Sequence, residues 1–192
     1  MSRKPADYEL PQGGTGGNYS KLENWDNKFR VLSTPIIWWI YFTETPDGKA
    51  KPVRVRTEKE VNKNEIKPNK WGEKRYNHFW TFVVWDYQKS AISILELSKN
   101  SILKDFDNYL NDPDYSNPLE YDIIITKKGE GLSTEYSFRA GKHSPISQEI
   151  KHAYMEMPVD LEKLFEGGNP YEVDSVTKGL QNTIDVPFNP GE

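Results

Sequence analysis

Trp39, Tyr41, Trp80, Tyr87 and Tyr136 stand in stretches that alternate in the manner of β-strands. Arg30, Arg54, Arg56, Lys74, Arg75, Lys127, Lys128 and Arg139 lie on or beside the same stretches. Flat rings stack on other π-faces, and guanidinium and ammonium groups hold phosphate. Unpaired bases expose faces that a duplex hides, so rings and cations interleaved along strands point to a single-stranded nucleic acid ligand. For any one strand tryptophan, a place in the core is the simpler reading. Six Trp and eleven Tyr nevertheless exceed what one small barrel core absorbs, so some of these rings belong at the surface.

Other chemistries find less footing. The sequence has no cysteine, which excludes disulfides and thiolate metal sites. His78, His143 and His152 are far apart and lack ligand-like spacing. There is no Gly-x-Ser-x-Gly elbow. A nuclease-type strand Asp followed by Glu-x-Lys is also missing, since Glu96-Leu97-Ser98-Lys99 has the wrong spacing. His78 reads as a strand-start residue near phosphate or water rather than as a catalytic base. The expectation is a binding protein that is not an enzyme and uses no cofactor or metal. An adaptor that binds only protein and a metal-dependent nuclease stay open as alternatives.

The element that must position these side chains is His78 to Leu97, two runs of β-branched and aromatic residues around a polar tip at Gln88-Lys89-Ser90. That is the pattern of a β-hairpin. Its first arm carries Trp80, Phe82 and Val84 on one face and Phe79, Val83, Trp85 and Tyr87 on the other. One face can enter a core; the other needs either more protein or a π-surface ligand. Upstream, Lys28–Ser33 and Ile36–Phe42 read as one long strand bent at Pro35. Pro52–Arg56 reads as a short basic strand. Downstream, Ile102, Leu103, Phe106, Tyr109 and Leu110 fall on one helical face, with Ser101 as the cap. Tyr121–Thr126 is a buried strand, Lys127–Gly131 a turn, and Ser133–Arg139 a last strand with Thr134, Tyr136 and Phe138 on one face. This element order is that of an OB-fold: mainly β, a five-stranded Greek-key barrel with one connecting helix before strand four.

Composition sets the organisation. Residues 1–18 carry Gly13-Gly14-Thr15-Gly16-Gly17 without the Gly-Lys-Ser/Thr that closes a phosphate loop, so they read as a flexible lead-in. Residues 19–150 are expected to form the binding domain. It holds a basic insertion at about 49–77, in which residues 57–77, after the strand Pro52–Arg56, read as a long basic loop on the solvated surface carrying one aromatic, Trp71. Net charge is −4, but it is unevenly spread. From Lys49 to Lys89 there are eleven bases against five acids, and from Met155 onward eight acids against two bases. One or two short helices are expected within 145–166, for example Leu161–Phe165. The rest of 151–192 reads as an acidic, largely disordered tail. No apolar run reaches the roughly 20 residues of a membrane span, and the start has no signal-peptide core. A soluble, cytoplasmic protein is expected.

Several blocks carry a resemblance. GGNYSKLENWDNKFRVLSTPIIWWIYF, KPVR, HFWTFVVWDY, ILEL and YDIIITKKGEGLSTEYSF, spanning about Gly17 to Phe138, resemble a family of single-stranded-DNA-binding proteins of tailed bacteriophages. The resemblance implies an OB-fold that coats single-stranded DNA in phage replication or recombination. It places Trp39, Arg54, Trp80, Lys127, Lys128 and Tyr136 in the family pattern. Trp38 departs from it where Gly is more usual, and Ser133 where Asp is more usual. Separately, Asp185-Val186-Pro187-Phe188 resembles the acidic Asp-Ile-Pro-Phe tip with which bacterial single-stranded-DNA-binding proteins dock partners, here followed by Asn189-Pro190-Gly191-Glu192. The expected partners are single-stranded DNA, replication or recombination proteins at the tail, and further copies of the chain along DNA. No membrane is expected.

Overall fold

The computed structural model describes residues 19–173. Seven strands form one sheet: β1 (Trp25–Val31), β2 (Ile36–Glu44), β3 (Ala50–Val55), β4 (Tyr76–Asp86), β5 (Ala91–Leu97), β6 (Tyr121–Lys128) and β7 (Glu135–His143). Two helices accompany them, α1 (Asn100–Leu110) and α2 (Gln148–Glu156). The strands hydrogen-bond in the order β3-β2-β4-β1-β6-β7, with β5 on β4, and all seven neighbouring strands pair antiparallel.

The hairpin is the hub. β4 pairs with β5 from Trp80↔Leu97 to Asp86↔Ala91. The buried Asp86 carboxylate accepts the amides of Gln88 and Lys89 at 3.0 and 3.3 Å, which folds the tip. β4 also carries β1 at Val31↔Val84 and β2 at Ile36↔Thr81, so β1 and β2 are one path interrupted by a bend. At that bend the Ser33 hydroxyl accepts the Val83 amide at 2.9 Å.

Phe29, Val31, Trp80, Phe82, Val84, Leu95, Leu97, Tyr121, Ile123 and Ile125 face one core with Ile102, Leu103 and Phe106 of α1. Phe106 lies 4.6 Å from Phe138 of β7 and 5.4 Å from Phe82, centroid to centroid. It occupies the gap where a barrel would close. Among the described residues no ladder joins β5 to β7, so the mainly β architecture is present but the closed five-stranded barrel is not. The cap of α1 is Lys99, with no side-chain hydrogen bond, and not Ser101.

The hairpin's second face is covered by protein. Val83, Trp85, Ile92 and Ile94 pack with Leu32, with Ile150 of α2, and with Val159, Leu161 and Leu164, the last two in a short 3-10 turn at Leu161–Leu164. Tyr171 packs against the same cluster, and Pro170 is buried and accepts the Asp160 amide at 2.8 Å. The helices expected within 145–166 are present at Gln148–Glu156 and Leu161–Leu164, and packed structure continues to Pro170 and Tyr171, into the stretch whose composition alone reads as an unstructured tail. The strand expected at Pro52–Arg56 is present as β3, paired along β2. The loop at 57–77 is not simply solvated: Val61 and Ile66 are buried against Tyr41, and the Lys67 amide donates to the Phe42 carbonyl at 2.6 Å.

Candidate nucleic-acid interface

At one end of the sheet, aromatic and cationic groups follow one another around the rim of the main core. Trp39 and His78 are directly opposed on β2 and β4, and their ring centroids lie 4.4 Å apart at 32°. They line a cleft of about 430 Å3 with Tyr76, Asn77, Ser98, Lys99 and Asn100. Lys99 ends the β5 side of this cleft, and its ammonium lies 5.9 Å from the Tyr136 ring centroid on β7. Tyr136 is opposed to Lys127 on β6, and Lys127 to Trp25 on β1. Directly opposed residues of antiparallel strands project to the same face. Trp39, His78, Lys99, Tyr136, Lys127 and Trp25 thus form a continuous band.

Local structure holds the band's outer end in an unusual state. Trp25 is 70% exposed and has φ = 76°. A bulky residue in the left-handed region is strained by about 1–3 kcal/mol. The fully buried Asn27 amide holds the backbone there. It donates to the carbonyls of Glu23, Trp25 and Ile125 at 2.8, 2.9 and 3.0 Å and accepts the Glu23 amide at 2.8 Å. Trp25→Gly should therefore raise the melting temperature, because it removes the strain while giving up little burial. In the same protein it should weaken single-stranded DNA binding by about 1–3 kcal/mol, the value of one stacking platform. A thermal melt paired with a DNA titration checks both; lowered stability with unchanged affinity would contradict the assignment.

Electrostatics fit a neutral ring beside a cation. Burial lowers the His78 pKa below its ordinary value, so the imidazole is uncharged at pH 7 and stacks as an aromatic. Its buried Nε2 has no hydrogen-bond partner among the described residues, and neither does Nε1 of Trp80, the next side chain on that face. The Lys127 ammonium donates to the Leu22 carbonyl at 3.1 Å, which fixes the amine end beside Trp25.

Of the residues singled out from sequence, Trp39, Tyr136 and Lys127 belong to this band. Lys128 is exposed one position further along β6. Arg139 is exposed on the outer face of β7 and pairs with Asp26 at 2.9 Å. Lys74 and Arg75 lie in the insertion. The Lys74 ammonium donates to the carbonyls of Lys63 and Asn64 at 3.3 and 3.2 Å, and Arg75 pairs with Glu73 at 2.6 Å.

Four of those residues are core or network groups instead. Arg30 is 2% exposed; its guanidinium donates to Asp122 at 2.6 Å and to the Ser144 carbonyl and hydroxyl at 2.8 and 2.5 Å, so it is spent on protein rather than phosphate. Trp80 packs in the main core with Phe106, and Tyr41 packs over Val61 and Ile66. Tyr87 donates its hydroxyl to Asp122 at 3.0 Å and takes the Lys28 ammonium 4.3 Å from its ring centroid.

Arg54 and Arg56 lie on the sheet's opposite face. Arg54 sits 4.8 Å from the Trp38 ring; Arg56 sits 4.2 Å from the Phe165 ring and is ion-paired with Glu162. Trp38, buried, also donates to the Thr81 hydroxyl at 2.5 Å and is a packing element of this face. The tip Asp185, Val186, Pro187 and Phe188 lies outside the described residues.

Sequence reasoning missed Trp25 and Lys99. Trp25 stands between Asn24 and Asp26-Asn27, a turn-forming run that was a readable sign of an exposed ring. Lys99 had no such signal, because only packing brings it to Tyr136.

No family model matches the chain, and no solved structure does. The chain is similar to a protein of Escherichia phage T5 described as a probable ssDNA-binding protein. The two are 24% identical over 213 residues, covering 90% of this chain and 79% of that protein. No helix among the described residues is long and apolar enough to cross a membrane.

Proposed function

We propose that the protein binds single-stranded DNA without strong sequence preference and without catalysis, protecting it and melting its hairpins during phage DNA replication or recombination in the host cytoplasm. The observation that carries this reading is the rim band from Trp39 and His78 through Lys99 and Tyr136 to Lys127 and Trp25. It alternates rings with lysines, matching a strand whose bases stack while its phosphates are held. The T5 relative's description supports the same ligand. The connectivity, with a bent first strand shared between the hairpin and β6, supports an OB-type arrangement opened between β5 and β7. The residues beyond Val173, carrying Asp185-Val186-Pro187-Phe188, are read as a partner-docking tail.

Titration with oligo-dT should quench tryptophan fluorescence, since a base stacked on Trp39 or Trp25 is in van der Waals contact with the indole. The logarithm of affinity should fall with the logarithm of salt by about 0.7 per phosphate neutralised. Lys99→Ala and Lys127→Ala should each flatten that slope by about that amount. Affinity independent of salt, or fluorescence unmoved by saturating oligonucleotide, would overturn the reading in favour of a protein-only adaptor. Loss of DNA over time with magnesium would favour a nuclease.

A further inference from the structure

The cleft between Trp39 and Asn100 differs from the rest of the band. Elsewhere the band offers a ring or a lysine at an open surface. Here a concave space of about 430 Å3, within the usual range of small-molecule sites, has an aromatic wall, two polar side chains from the β5–α1 junction (Ser98 and Asn100) and a cation, Lys99. The His78 imidazole lining it keeps a buried nitrogen without a partner among the described residues. Buried polar nitrogens are nearly always hydrogen-bonded, and each one left alone costs about 1–3 kcal/mol. Such an atom on a residue lining a polar cleft marks a place for a ligand that brings donors and acceptors of its own.

We propose that this cleft is a slot for one unpaired nucleobase. The base stacks against Trp39 and presents its hydrogen-bonding edge to Ser98, Asn100 and His78, while Lys99 holds the adjoining phosphate. A base already paired in a duplex has that edge occupied and cannot enter. Asn and Ser side chains at a base edge discriminate between bases, so base identity is read at this one position while the open part of the band is indifferent to it. The inference rests on the single-stranded DNA reading and adds to it one position of readout.

The test uses the full chain and a fluorescent oligomer of about twelve abasic deoxyribose phosphates, bare or carrying one base in the middle. Binding is followed by anisotropy at low salt beside ordinary oligo-dT. One base should raise affinity over the bare chain by about tenfold, as expected for a single stacked base, and the four bases should differ among themselves by several-fold. Trp39→Leu, which keeps the apolar contact with the insertion, should abolish the gain. Asn100→Ala, at an exposed position, should make the four bases equivalent. If oligo-dT binds normally but one base adds nothing, or the gain survives Trp39→Leu, the slot is wrong and the broader reading stands. If oligo-dT itself does not bind, both fall. Should Trp39→Leu fail to fold, Asn100→Ala decides alone: four bases still differing as in the wild type overturn the slot.

Discussion

Asp122→Ala should destabilise the protein by about 3–5 kcal/mol, the cost of stranding a buried charge. Arg30 is almost wholly buried, and among the described residues Asp122 is the one carboxylate on its guanidinium, at 2.6 Å. Lys28 adds a second ion pair to the same carboxylate at 2.8 Å and the Tyr87 hydroxyl a hydrogen bond at 3.0 Å. Burial alone would raise the Asp122 pKa, but Lys28, Arg30 and Tyr87 outweigh it and hold the carboxyl below its usual value of 3.8. A lowered native pKa stabilises the fold at every pH above the unfolded-state value. That contribution is lost as pH falls below about 4 and through the native pKa. Urea denaturation at pH 7 should show the full loss in Asp122→Ala, and the gap to wild type should shrink on acidification. Pairing Asp122→Ala with Arg30→Met should recover much of the stability, because an apolar replacement leaves no charge to satisfy. A double variant no better than Asp122→Ala alone would mean the network contributes something other than charge compensation. The pair also ties β1 to β6, the two strands that bring Trp25 and Lys127 together.

Ending the chain after Ser147 should abolish cooperative folding, whereas ending it after Val173 should leave the melt unchanged. The first cut removes Ile150, Val159, Leu161 and Leu164 from over Val83, Trp85, Ile92 and Ile94. Each of the four lost side chains is worth about 1.5–3 kcal/mol of burial, together a sum comparable to the 5–15 kcal/mol that hold a typical domain. A cut after Gly168 would already remove the buried Pro170 and the packed Tyr171, so the packed structure reaches at least Tyr171. The residues beyond Val173 carry Asp174, Asp185 and Glu192 against Lys178 alone. Their removal should tighten DNA binding several-fold at low salt, fading as screening shortens the reach of charge, and should end capture of replication or recombination partners. Far-ultraviolet circular dichroism, DNA titration at two ionic strengths and pull-down read the three effects. A folded protein from the shorter cut would show that the second cluster is dispensable, and unchanged DNA affinity with intact partner capture from the longer chain would show that the tail does neither job.

Local pattern alone determined the strands of the hairpin, the bend at Pro35, the helix carrying Phe106 and the two faces of β4. It also determined that rings and cations are interleaved, and through that pattern Trp39, Tyr136 and Lys127 were legible as surface candidates. Alternation says that two residues share a face; it does not say what covers that face. Trp39 and Tyr41 have the same type, strand and face, yet Tyr41 is buried because Val61 and Ile66 of the insertion fold over it. Arg30 reads as a free cation until Asp122 and Ser144, far along the chain, close around it. The acidic composition after residue 150 reads as solvated, but a few well-spaced apolar side chains suffice to dock a short segment on a face that is already exposed and waiting. Lys99 beside Tyr136, and the cleft between Trp39 and Asn100, exist only because α1 starts where β5 ends and packs on β7. These are contacts between residues distant in sequence. They arise from which faces the chain must bury, a property of the assembled sheet that no single stretch encodes.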